Sequence, residues 1–137
     1  MLEVEILGAR PPAGTPPRHE LRRLSAAAAA SAGVADGHVS IEFVSPARIA
    51  ELNARHRGVH GPTDVLSFPI DGAQPIGERD GSAPPRELGD IVICPEHTAD
   101  VRGAVVHGML HLLGMDHETD DGEMLALQRR LLERPAP

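Results

Sequence analysis

Apolar and polar residues alternate at the start of the chain, with Leu2, Val4 and Ile6 set between Glu3 and Glu5, the period-two signature of a half-buried strand. The period then lengthens. Beyond a proline-rich turn (Pro11, Pro12, Pro16, Pro17), an alanine-rich run from about Arg18 to Ser31 places Leu21, Leu24 and Ala28 on one stripe. That pattern predicts a helix with one buried face. Gly33 and Gly37 punctuate its exit, and Val39, Ile41 and Phe43 alternate with Ser40 and Glu42 as a second strand. Ser45-Pro46 reads as the cap and first position of a helix carrying Ile49 and Leu52 and failing near Gly58. Serine accepts from an otherwise free helix N–H, and proline has none to leave unpaired.

Thr63–Pro69 predicts a short strand closed by proline. From Asp71 to Pro85 the chain is rich in glycine, proline and charge without periodicity, the composition of a mobile functional loop or of disorder. Leu88–Cys94 is nearly continuously apolar, as in a strand covered on both sides. A helix from about Ala99 to Leu113 is apolar almost all round and is expected in the core. Asp120 with Glu123 resembles a capping box for a last helix that buries Met124, Leu127 and Leu131. Strands interleaved with helices predict an α/β-type (α+β-like) fold, a small mixed sheet of about four strands packed with helices. A length of 137 residues without internal repeats indicates one domain over 1–137.

The core helix carries the chemistry. His107 and His111 are four apart on one helical face, about 6 Å along the axis. Gly114 suits a left-handed position that ends the helix, and the resulting turn can swing His117 in as a third ligand. A lone histidine pair on an apolar helix is usually structural; the third histidine, with glycine between, makes a zincin-like three-histidine metal helix. Zinc is favoured, although nickel or copper would accept imidazoles. Three neutral ligands leave an open fourth position, the catalytic rather than the structural pattern. The spacing matches the metzincin peptidase motif, but Gly108 stands where those enzymes need a glutamate base. Its expected gain is room for a bulky substrate beside the metal.

Composition narrows the partners. The net charge of −7 argues against a broad nucleic-acid-binding face, although all 13 basic residues are arginine and local clusters remain open. With no Trp or Tyr and only Phe43 and Phe68, no base-stacking platform is expected. The single Cys94 excludes an internal disulfide and suits the cytosol. No apolar run reaches the length of a membrane span, and Leu2–Leu7 is not expected to be a signal peptide.

Three blocks together resemble the YbeY family of bacterial rRNA-maturation endoribonucleases. They are Leu52-Asn53…Arg57-Gly58…Pro62-Thr63-Asp64-Val65-Leu66-Ser67-Phe68-Pro69, then Leu88-Gly89-Asp90-Ile91-Val92-Ile93, then His107-Gly108-x-Leu110-His111-Leu112-x-Gly114-x-Asp116-His117. The resemblance implies that His107, His111 and His117 bind one zinc ion per chain. It makes Arg57 the other functional residue, catalytic together with His107 and His111. It implies cleavage of single-stranded RNA in rRNA maturation (16S rRNA 3′ end) and ribosome quality control, in the cytoplasm. The implied partners are RNA and the small ribosomal subunit with its associated proteins, with no membrane or DNA. The chain departs from the family in a shorter segment between Cys94 and His107, where another helical stretch normally lies. It also has Cys94 for serine, Met115 for tyrosine, and Val59-His60 for more polar residues.

Taken alone, Arg57 reads as a surface arginine; it sits with Arg55, His56 and His60 just before a strand. Thr63, Asp64 and Ser67 are expected to bond backbone. Asp90 is expected to make a structural hydrogen bond, with the outer partner of a ligand histidine as the alternative. Asp116 is equally a water-orienting group or a turn residue. His19, His38 and His97 have no constellation around them and are expected at the surface, and Cys94 is expected in the core. Two other functions compete: a metallopeptidase whose base is Asp116 or a glutamate in the 71–87 loop, and a non-catalytic ribosome-assembly factor with a structural metal.

Overall fold

The alternating runs fold as strands and the longer-period runs as helices in the computed structural model, which describes residues 2–8, 14–73 and 86–133. In chain order they are β1 (Leu2–Gly8), α1 (Arg18–Ser31), β2 (Gly37–Phe43), α2 (Pro46–Arg57), β3 (Val65–Pro69), β4 (Glu87–Ile93), α3 (Val101–Leu112) and α4 (Glu123–Glu133). Most of the segment expected as a functional loop, residues 74–85, lies outside the described residues. The shortened stretch before α3 holds a three-residue 3-10 turn, Pro95–His97.

The strands form one mixed sheet in the order β1-β2-β4-β3. β2 runs parallel to both β1 and β4, while β3 pairs antiparallel with β4. The α1 connection is the crossover that a parallel β1–β2 pair requires. β3 lies at an edge, where Pro69 removes no needed ladder donor.

Two apolar layers hold the sheet. On one face Leu21 and Leu24 of α1 pack with Ile41, Ile91, Ile93, Met109 of α3 and Met124 of α4. On the other, Ile49 of α2 packs with Leu66, Val92 and Cys94. β4 is therefore covered on both faces, which is why its sequence does not alternate. Truncating a fully buried member such as Met109 to alanine costs about 2–5 kcal/mol. Among the described residues no helix is long and apolar enough to cross a membrane.

Capping fixes both ends of α2 and so the place where its last side chains emerge. Ser45 Oγ accepts from the Arg48 N–H at 3.2 Å, and Gly58 at φ 67° closes the helix. Arg57 is thus its last residue. Asn53, one turn earlier and buried, donates from Nδ2 to the Gly61 carbonyl at 3.0 Å. That bond ties the loop after the helix back onto it and leads the chain into β3.

Candidate metal centre and its cleft

α3 sets His107 and His111 one turn apart, with ring centroids 4.6 Å from each other. Gly114, at φ 97°, then reverses the chain. Its N–H bonds to the His111 carbonyl and the Met115 N–H to the Leu110 carbonyl, both at 3.0 Å. These are the paired bonds of a Schellman motif, which a residue with a Cβ enters only at a cost. The turn brings the His117 ring to 5.1 Å from His107 and 5.4 Å from His111. One ligand-capable nitrogen from each of the three lies within 4.8 Å of the others.

Neighbouring groups fix the rings. His111 Nδ1–H donates to the Met115 carbonyl at 3.0 Å, and His107 Nδ1–H donates to Gln128 Oε1 at 2.9 Å. With both Nδ1 atoms so engaged, the two Nε2 atoms face each other at 3.1 Å, and in neutral rings each turns a lone pair toward the other. Two bare acceptors at that distance repel unless a cation lies against both. His117 Nδ1 is buried without a hydrogen-bond partner among the described residues. Burial, then the neighbouring His107, hold the His111 imidazole below its usual pKa range, against the opposing pull of the Met115 carbonyl. It therefore stays neutral at pH 7, the form that ligates. The donor set fits a divalent cation that favours imidazole.

The cluster opens onto a cleft of about 770 Å³ whose wall includes His56 and Arg57 from the end of α2 and Phe68 from β3. Arg57 has no ion-pair partner among the described residues. Its neighbour Arg55 turns away to Glu51 at 3.4 Å, and His60 is exposed and does not line the cleft. Asp116 and Ser67 line the cleft too, but each has a structural bond. Asp116 Oδ1 accepts from the Glu118 N–H at 2.9 Å, and Ser67 Oγ donates to the Gly108 carbonyl at 3.1 Å. Asp64 accepts from the Val65 N–H at 2.8 Å and from the Thr63 hydroxyl at 3.2 Å. Cys94 is buried and His19 and His97 are exposed, as expected.

Two expectations, at Gly108 and His38, need correction, whereas Asp90 takes the structural role expected of it. It accepts from the Ser40 hydroxyl at 2.5 Å across the sheet, and the partner that orients His107 is Gln128. The signal for Gln128 was present: it falls four after Met124 and three before Leu131, both buried. A polar side chain in that apolar stripe needs a bonding partner. Gly108 does not open the cleft, because its missing Cβ would face the sheet and not the histidines. A Cβ there would stand 2.8 Å from Ile91 Cγ2 and 3.2 Å from Ser67 Oγ, so the glycine lets α3 approach the sheet. His38 is not isolated: its Nδ1 meets Glu87 at 2.8 Å and its Nε2 meets Glu5 at 3.1 Å, linking three strands. Glu87 foremost, then Glu5, hold its pKa above the usual range against the opposing effect of burial.

A histidine triad at the end of a buried helix, opening on a cleft at the edge of a mixed sheet, defines a small α/β protein with a three-histidine cluster that could hold a metal ion. The family profile described as Endoribonuclease YbeY matches residues 18–135, and the chain belongs to the YbeY family. Proteins named Endoribonuclease YbeY from Mycolicibacterium paratuberculosis, Mycobacterium tuberculosis and Mycobacterium marinum are each 44% identical to it over 110 residues. Each match covers 69% of this chain and 62% of the relative, so the chain matches somewhat under two thirds of these proteins' length. The solution structure of TM1509 from Thermotoga maritima is similar at a TM-score of 0.56 and 29% identity, covering 95% of this chain and 87% of that one.

Proposed function

We propose that this protein is a zinc-dependent endoribonuclease that cuts single-stranded RNA during rRNA maturation. The setting is the cytoplasm and the small ribosomal subunit with its associated proteins, with 16S rRNA 3′-end processing and ribosome quality control as the finer roles. One observation carries the reading: the three imidazoles converge in the same cleft as Arg57, a guanidinium free of ion pairs among the described residues. Membership of the YbeY family, and relatives named as endoribonucleases, supply RNA as the substrate class.

His107, His111 and His117 would hold one zinc ion, with Gln128 and the Met115 carbonyl keeping two of the rings in the ligating orientation. Bound there, the ion supplies Lewis-acid chemistry, polarising a phosphoryl oxygen or acidifying water. Arg57 holds the phosphate bidentately and stays charged throughout. As negative charge builds on the phosphorus oxygens, the guanidinium stabilises the transition state more than the ground state.

The peptidase alternative lacks the usual glutamate base at Gly108. Of the substitute bases among the described residues, Asp116 Oδ1 accepts from the Glu118 N–H and Glu87 is engaged with His38. Incubating pure protein with structured rRNA and with casein, each with and without chelator, tests the reading. RNA cleavage that the chelator abolishes, with casein intact, is expected. Casein cleavage, or RNA cleavage indifferent to chelator, would overturn it.

A further inference from the structure

The chain has two phenylalanines and neither tryptophan nor tyrosine, yet one of the two is placed on the cleft wall. Phe43 is buried at 3% exposure. Phe68 is only partly buried; it packs on the Ile49 and Leu66 cluster and also lines the cleft. His56 meets it edge to face, with ring centroids 4.9 Å apart and planes at 63°. That histidine is exposed, lines the same cleft and directly precedes Arg57.

We infer that His56 and Phe68 form a corner that binds one unpaired nucleobase of the substrate, beside the arginine that holds its phosphate. The inference rests on the ribonuclease reading above. Every base has a π-face, so stacking on a ring is favourable whatever the sequence. Two rings inclined at 63° give one base a face to stack on and a second ring against its edge. They do not make a shelf for a run of bases, which agrees with the scarcity of aromatic residues in the chain.

The corner also gives the cleft a means of choosing its substrate. Three histidines and an arginine address phosphate, which single and double strands share. A base inside a duplex has both faces covered by its neighbours and enters such a corner only after unstacking. Preference for loops, bulges and ends follows from the corner rather than from the metal. Counting aromatic residues missed it because an imidazole from another element supplies the second ring.

The test is single-turnover cleavage by the zinc-loaded protein over a range of enzyme concentrations, which separates half-saturation from maximal rate. Two substrates are compared: a short single-stranded RNA, and the same strand made abasic at the positions flanking the cut. Phe68→Leu and His56→Ala should each raise half-saturation on the full RNA about five-fold or more, with the maximal rate retained. On the abasic strand the variants should match the wild type, because there is no base to lose. His56 is exposed, so His56→Ala decides the question even if Phe68→Leu disturbs the core. Unchanged half-saturation in His56→Ala, or an equal loss on both substrates, overturns the base corner while leaving the ribonuclease reading standing. Wild-type protein that cuts neither strand sinks both.

Discussion

Arg57 and the histidines share a cleft but should separate cleanly on substitution. Arg57 is exposed at a helix end and supports no core contact, so Arg57→Ala should keep the melting temperature and the bound metal. The loss of one contact to developing charge typically costs about 3–4 kcal/mol, or roughly 10²–10³ in rate. Single-turnover RNA cleavage checks this; a wild-type rate would return Arg57 to the status of a surface residue. Gly108 gives the opposite pattern. Alanine there gains about 1 kcal/mol of helix propensity. Its methyl must also displace the buried Ile91, which overpacking data put at about 1–3 kcal/mol. Gly108→Ala should therefore lower the melting temperature modestly. Gly108→Glu should lower it severely, with metal content falling as the helix shifts. A Gly108→Glu protein as stable as wild type would show that α3 does not need the close approach. The histidine cluster was legible because its spacing and Gly114 are local features, read along one helix and one turn. The filled space at Gly108 was not, because Ile91 and Ser67 reach it from two strands distant in sequence.

Elements were easier to read than their partnerships. Both faces of β4 were foreseen as covered, since Leu88, Ile91, Val92 and Ile93 leave no polar alternation. Ser45 and Gly58 marked the ends of α2 by capping chemistry alone. The contact between α4 and α3 was not foreseen, and it carries Gln128 to His107. Gln128→Leu should keep the fold, since its neighbours in the stripe are apolar, while weakening zinc binding about 10–100-fold. Competition with a chelator of known affinity measures this; unchanged affinity would mean the bond is incidental. Glu5, His38 and Glu87 escaped notice because each lies on a different strand. His38 has a folded pKa raised above its usual value. Its contribution is therefore fully present below about pH 6.5 and lost as pH rises through the folded pKa. Since His38 keeps 23% and Glu5 52% of side-chain exposure, the pair is worth no more than about 1 kcal/mol. Urea midpoints of wild type and His38→Gln should differ at pH 5.5 and converge by pH 9; a constant gap would contradict the ion-pair origin.

The whole molecule places its chemistry at one edge of the sheet. α2 delivers Arg57 and His56, β3 delivers Phe68, and α3 with its terminal turn delivers the three histidines. None of these elements is adjacent to all the others in sequence, so the cleft exists only once the mixed sheet has formed. Resemblance to the YbeY blocks put forward Arg57 and the three histidines, which share the cleft. It did not single out His56 or Phe68, and no spacing along the chain could place α2 opposite α3. The most direct measurement is metal add-back. The protein is stripped with chelator, and single-turnover cleavage of a single-stranded RNA is followed as zinc is titrated in. Cleavage should be absent in the stripped protein and rise linearly to a plateau at one zinc per chain, with no such rise in His111→Ala. Full cleavage by the stripped protein, or a zinc-loaded protein that leaves RNA intact, would contradict a three-histidine ribonuclease centre.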